Sequence, residues 1–487
     1  MKLLRAKIAA SQGSVLLISL IFAAIAGVTL ASYLIMVENQ TVSVYRSQSW
    51  NVAMTVSEAG VEDALQLINR YAGSFEEDIL PQWTNHAAAE NWSSPSANVY
   101  YMSRNMPYQA TSGAWFTNSY EVWITNRNSE PEIFATATVP WTFHYASAPQ
   151  AMFAGIGLAV DGTGFRPPIR RNVHVKTKYG ALWQVAMAAV QTIDLKGKNV
   201  ATDSFDSADA DFSSAGQYPL GIPWKTKANG DVATTRAIVD SLNVGNAKIK
   251  GHVRTGPGDN TITIGPNGSV GDRFWVESGF KGIKDGWSST DFNVVFPDVV
   301  LPNSQWIEPV DRNVTIDGEL YEFAIFSAGD YQINNLVGSL MIDAPKGALV
   351  RILIRSSVKF TAKEVIRIKS DQDSGATVRI YMAGAEMNLG GQSYIDNQGG
   401  FADRFYLFGL PSCQSITFGG NASFYGGIYA PQAVFALGGG GNDVWDFVGG
   451  SVTKTVMMNG HFNFHYDENL GKNGPGSGFI PVAWGEK

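Results

Sequence analysis

The chain has 487 residues, 16% of them charged and 45% hydrophobic, with 51 glycines, 13 tryptophans and a formal net charge of −7. That length leaves room for two or three domains and a sizeable core. The acidic balance argues against nucleic acid as a main partner, and a single cysteine, Cys413, excludes an intramolecular disulfide framework.

Lys2, Arg5 and Lys7, with no acid among them, precede an uncharged apolar stretch from Ser14 to Val37 that Glu38 ends. About two dozen such residues cross a bilayer core of roughly 30 Å as one helix. Positive charge ahead of a first span holds the N-terminus in the cytoplasm and predicts export of the rest. The apolar core is too long for an ordinary secretory signal, and the small residue Gly13 stands before it rather than after it. Two readings remain: a plain signal anchor, or a basic leader over 1–13 cut at Gly13. From Glu38 to about Tyr71 there is no proline, and Gly60 is the sole glycine. Val42, Tyr45, Val52, Val56, Val61, Leu65 and Ile68 recur at near-helical spacing. The pattern predicts one transmembrane and stalk helix over 14–72, reaching roughly 85 Å at 1.5 Å per residue.

A short basic leader, Gly13 before an apolar helix, and Ser57-Glu58-Ala59-Gly60 near the helix end resemble a type IV pilus minor pilin of the PilX type. The resemblance covers roughly residues 10 to 72. It implies that a prepilin peptidase cuts after Gly13 and leaves Ser14 as the new N-terminus. It also implies storage in the inner membrane, with the C-terminal part exported. Extraction into a filament on the surface of a bacterium follows, with other pilins and the assembly machinery as partners. Ile18, Leu20 and Phe22 would then face lipid first and neighbouring helices later, and Glu58 sits in the family motif. Two positions depart from the family. Most pilins begin the mature chain with a large apolar residue, where this chain has Ser14, and carry Glu at the fifth position, where it has Ile18. In the family that carboxylate pairs with a neighbour's N-terminal amine, since a buried charge is tolerated only when paired. A subunit without it suits a first-in-line position at the tip.

Beyond Tyr71, Gly73 and Pro81 break the helix. Alternating runs at 120–125 and 133–145 predict a small α/β pilin-like head over 73–150, with antiparallel strands on the stalk and a boundary at Ala148-Pro149-Gln150. Residues 151–470 read as β throughout: short apolar runs separated by Gly, Asn and Asp, with Gly-Gly pairs at 390–391, 399–400, 419–420, 426–427 and 449–450. The expected class is α+β, with a β-solenoid favoured for the large domain and a β-sandwich as the alternative. Phe405 to Tyr466 resembles an uncharacterised C-terminal domain often attached to PilX-like helices. Residues 471–487 open on turn formers and predict a flexible tail.

Candidate chemistry is sparse. Residues 438–446 fit a calcium-binding nonapeptide with Asp443 as ligand, but that site is built between successive copies and the next nonapeptide does not repeat it. His461, Asn463, His465 and Asp467 share one strand face, though at roughly 7 Å spacing, so a polar face is preferred to a zinc or nickel site. Asp203, Asp206, Asp209 and Asp211 could take calcium, yet lack the glycine and terminal Glu of an EF-hand loop. The sequence contains no nucleophile elbow, P-loop or Cys–His pairing. Burial is the expected state of Cys413. The chain is therefore expected to be a non-enzymatic minor pilin with no cofactor and no catalytic residues, displaying a β-rich domain for contact. Tryptophan and tyrosine on such a domain would offer stacking faces to surface glycans. The alternatives are an anchored carbohydrate-active enzyme with two facing acids, and a tethered scaffold that never enters a filament.

Overall fold

The computed structural model describes residues 12–70, 83–109, 115–126, 130–140, 167–196, 200–259, 261–419, 423–438, 445–459 and 461–486. The chain divides into two compact units. One comprises Met1–Leu67, Thr84–Lys178 and Pro481–Lys487, and the other Ile68–Trp83 and Tyr179–Ile480.

The first unit is built on α1 (Gln12–Ile68), an unbroken 57-residue helix. The strands β1 (Ser93–Ser96), β2 (Val99–Gln109), β3 (Trp115–Thr125), β4 (Glu132–Val139) and β5 (Ile169–Ala181) follow in antiparallel order, and strand Gly476–Glu486 closes the sheet beside β5. On β4, Ile133, Ala135, Ala137 and Val139 are buried and the residues between them are half-buried, the period of two of a sheet with one covered face. On α1, Ala53, Val56, Ser57, Gly60, Val61, Ala64 and Leu67 are buried, at helical spacing along one stripe. That stripe differs from the expected one: Val52 is 42% exposed and Leu65 is half-buried. Small residues carry the contact because they let the helix backbone approach the sheet. A Cβ on Gly60 would lie 2.9 Å from Cδ2 of the buried Tyr120 ring.

The sheet takes its fifth strand from beyond the boundary placed at 148–150, and its sixth from the segment expected to be a flexible tail. That last strand is pinned by Arg171, whose guanidinium grips both carboxylate oxygens of Glu486 (Nη2–Oε2 2.8 Å) and lies 4.9 Å from the Trp50 ring.

The second unit holds a 20-stranded sheet and a five-stranded one. In the larger sheet every described pairing is parallel. Near its start, β6 (Met187–Ala189), β7 (Ile193–Asp194) and β8 (Ala201–Phe205) pair on one side with strands Val232–Thr234, Leu242–Gly245 and Lys248–Lys250. On the other side they pair with the last strands of the unit, Trp445–Met458 and Phe462–Asp467. From there the sheet runs back through strands Phe424–Leu437, Phe405–Gly409, Thr377–Met382 and Leu349–Phe360. Ile352, Ile380, Leu407 and Ile428 form one lateral row of the core, each with none of its surface exposed. The five-stranded sheet runs through Asp311–Ile316, Glu319–Ile325, Leu340–Ile342, Val365–Ile368 and Tyr394–Asn397.

These pairings correct the expected fold class. Strands make up 47% of the described residues and one long helix accompanies them, so the protein is mostly β rather than α+β. A sandwich needs antiparallel layers, and the described pairings of the large sheet are parallel. The solenoid expectation fails as well: strands 349–360, 424–437 and 445–458 each span two ladders. Ladders that a solenoid keeps apart therefore merge into one sheet, curled as a barrel or half-barrel.

Two Gly-Gly pairs also differ from expectation. Gly391 and Gly400 adopt positive φ at turns, as glycine pairs commonly do. Gly426-Gly427 and Gly449-Gly450 instead sit inside long strands, in lateral register with each other. Gly427 and Gly450 make room for Trp183, which is fully buried, donates from Nε1 to the Ile428 carbonyl at 3.0 Å and stacks on Tyr406.

Candidate functional site

Two regions carry the residues singled out from the sequence. The first is the outer half of α1. Ile18 is 50% exposed, and Leu20 and Phe22 are each 69% exposed. Val15–Ile68 is long and apolar enough to cross a membrane, with a mean hydropathy of 2.5 in its most apolar window. Three hydroxyls along it bond back to the helix: Ser19 donates to the Leu16 carbonyl (2.9 Å), Thr29 to Ile25 and Ala26 (3.0 and 2.9 Å), and Thr41 to Val37 (2.8 Å). Such bonds let these hydroxyls meet hydrocarbon without being orphaned. Gly13 and Ser14 fall in the first turn of α1, though their side chains lie outside the described ones. The 57–60 motif is split by the helix. Ser57 and Gly60 face the sheet and Glu58 points to solvent, with Ser57 donating to the Met54 carbonyl at 2.7 Å. Next to Gly60, Asp63 accepts from the Tyr120 hydroxyl and pairs with Arg104 at 3.1 Å. Burial, and then Asp63, push the Tyr120 hydroxyl far above its ordinary range.

The second region is a polar cluster in the other unit, where β8 meets strand 462–467. His465 is 6% exposed. Its Nδ1 lies 2.5 Å from Asp203 Oδ1, its partner in lateral register on β8, and its Nε2 lies 3.4 Å from Asp446 Oδ1 on strand 445–458. Tyr218, in the excursion 206–230, stacks on the imidazole at 3.7 Å and donates to Asp203 Oδ2 at 3.1 Å. Burial works against a charged imidazole, but the two carboxylates outweigh it and hold His465 above its ordinary range. Burial likewise opposes ionisation of Asp446, and His465 overcomes it and lowers that acid. Nearby, Asp467 is fully buried and pushed up to about 6, although its carboxylate accepts from the backbone of Ser207 (3.0 Å) and Asn469 (3.1 Å). Glu468 gathers Lys227, Asn229 (2.7 Å) and Ser204 (2.9 Å).

The structure thus brings together Asp203 and His465, and adds Asp446, which sequence reasoning passed over. Asp206 turns instead to Lys472 and the Ala208 amide. The His461 Nδ1 is buried with no hydrogen-bond partner among the described residues, and Asp443 lies outside them. Among the described residues, no three His, Cys, Asp or Glu side chains gather in a geometry that holds a metal ion. The face of strand 462–467 expected to be a polar exterior is itself covered, because residues 206–230 fold over it. Only the lateral register of β8 and strand 462–467, separated by some 260 positions, predicts the Asp203–His465 contact.

Residues 307–473 match the model of a family described as a domain of unknown function, DUF7305. No curated protein matches the chain. Among solved structures, the competence-associated pilin ComZ of Thermus thermophilus aligns at 10% identity and a TM-score of 0.26, covering 89% of this chain and 97% of that one. A likeness at that level carries no argument about fold or function.

Proposed function

We propose that the chain is a non-enzymatic structural subunit of a type IV pilus or related filament, a minor pilin that displays a large β domain for surface contact. One observation carries the reading. α1 continues without a break from an exposed apolar half into a half buried against its own sheet. The buried positions begin at Ala53, whereas Val15 to Val37 lie open. That open surface needs lipid or other helices around it. A helix that serves both in turn supports a subunit stored in the inner membrane, with its C-terminal part exported, and later packed into a filament with other pilins. Loss of the usual fifth-position carboxylate, with Ile18 in its place, supports a tip position in a PilX-like complex. Surface glycans are the partners proposed for the displayed domain.

The test is the N-terminus of the native protein, read by mass spectrometry with and without a prepilin peptidase, together with co-purification with fibres. A mature chain beginning at Ser14, lost in Gly13→Leu, is the expected result. A native chain that keeps residues 1–13 and never enters fibres leaves a tethered scaffold and overturns the proposal.

A further inference from the structure

The cluster around His465 carries an inference independent of the filament reading. A carboxylate oxygen only accepts hydrogen bonds, and a neutral imidazole has one N–H to give. Both ring nitrogens of His465 face carboxylate oxygens, Asp203 Oδ1 at 2.5 Å and Asp446 Oδ1 at 3.4 Å. With both carboxylates ionised, this geometry calls for the doubly protonated ring. Its position gives that charge a mechanical role. Asp203 stands on β8, an early strand of the unit, while His465 and Asp446 stand on its last two. The clamp thus fastens the seam where the two ends of the unit meet. Tyr218, stacked on the ring and bonded to the other oxygen of Asp203, ties the 206–230 excursion to the same point.

We propose that His465, clamped as an imidazolium between Asp203 and Asp446, is a pH-sensitive latch: charged, it holds the seam and seats Tyr218, and on losing its proton it releases both. The other charged or titratable groups facing the clamp are few. Lys250, from strand 248–250, stands 3.8 Å from Asp203 and is shared with Glu277 of the short helix Arg273–Glu277 at 3.3 Å. Asn463 donates to Asp446 at 3.2 Å, and Tyr425 of strand 424–437 is held protonated by burial first and by the nearby Asp446 second. None of these replaces the imidazolium. Neutral His465 would leave one carboxylate facing a ring lone pair, at a histidine that is itself buried.

The direction follows from linkage. The folded state holds the His465 proton more tightly than the unfolded chain, so the clamp is fully present below the ordinary histidine range, near 6.5, and is lost as pH rises through the higher folded value. Hydrogen exchange of the full chain in detergent, read by mass spectrometry from pH 6 to 10 and corrected for intrinsic rates, tests this on peptides covering 201–205, 214–222 and 462–467. Protection should hold steady at low pH, fall by up to about tenfold per pH unit through a midpoint above 6.5, and level off once pH passes the folded value, the course set by a single proton. In Asp446→Asn the midpoint should move to lower pH, because one of the two carboxylates holding the proton is gone. Protection that stays flat across the range, or a midpoint unmoved in Asp446→Asn, would overturn the latch.

Discussion

Substituting Gly427 by Ala isolates a single contact. Gly427 lies in mid-strand with φ outside the left-handed region, so the backbone accepts alanine and only space decides the outcome. The new Cβ would stand 2.6, 2.8 and 2.9 Å from three atoms of the Trp183 ring. Trp183 has no room to retreat: it is fully buried, its Nε1 is bonded to Ile428, and Tyr406 stacks on it at 5.4 Å. Gly450, whose own Cβ would lie 2.8 Å from Trp183, lines the same slot. Overpacking of this kind costs about 1–3 kcal/mol. Trp183→Ala should cost about 3–5 kcal/mol by emptying the slot. With the ring removed, the extra methyl has space, so the double variant should be more stable than the sum of the singles by the overpacking energy, about 1–3 kcal/mol. Urea unfolding of the full chain, followed by near-ultraviolet circular dichroism, measures all four corners of the cycle. If Gly427→Ala falls within about 0.5 kcal/mol of the parent, or the two changes simply add, then these glycines are not there for Trp183.

Two further outcomes follow from burial. Asp467 is held at about 6 in the folded state, above the unfolded carboxyl value near 4. Its penalty is therefore absent at low pH, grows between about pH 4 and 6, and is constant above that, reaching about 2–3 kcal/mol. The stability of Asp467→Asn relative to the parent should rise by that amount from pH 4 to pH 7 in urea titrations, and a pH-independent difference would show that folding leaves the Asp467 carboxyl unshifted. Cys413 is fully buried and its thiol is pushed up to about 12 by that burial. A maleimide at pH 7.5 should leave the folded chain unlabelled over an hour and modify it completely in urea, and rapid labelling of the folded chain would place the sulfur at the surface.

What the sequence revealed depended on whether the signal was local. The apolar run of α1 is contiguous, so its length and membrane character are legible residue by residue. Its packing face is legible in part: Val56, Val61 and Ile68 of the aliphatic stripe are buried, but Val52 and Leu65 are not, and the small residues Ala53, Ser57, Gly60 and Ala64 share the contact. Alternation in runs such as 378–382 identified strands but not their partners. Parallel pairing joins segments far apart in the chain, and no spacing rule connects β8 to strand 462–467. The Gly-Gly pairs at 426–427 and 449–450 read as turns because the tryptophan that needs them lies more than 240 residues away. Residues 476–486 read as a loose end, since a strand completing a distant sheet carries no mark of it beyond ordinary composition. For the candidate site, Asp203 and His465 were each noticed, but apart. Their union, the contribution of Asp446 and the cover supplied by Tyr218 belong to the tertiary structure alone.

The lateral pairing of β6, β7 and β8 with strands 445–458 and 462–467 has a consequence for biogenesis. A chain synthesised from its N-terminus delivers the early strands long before their mates. Until residue 445 has emerged, one rim of the growing structure offers bare amides and carbonyls to whatever passes. Chaperone holdases that shield such rims should bind this polypeptide while it is incomplete, and let go once its final strands dock.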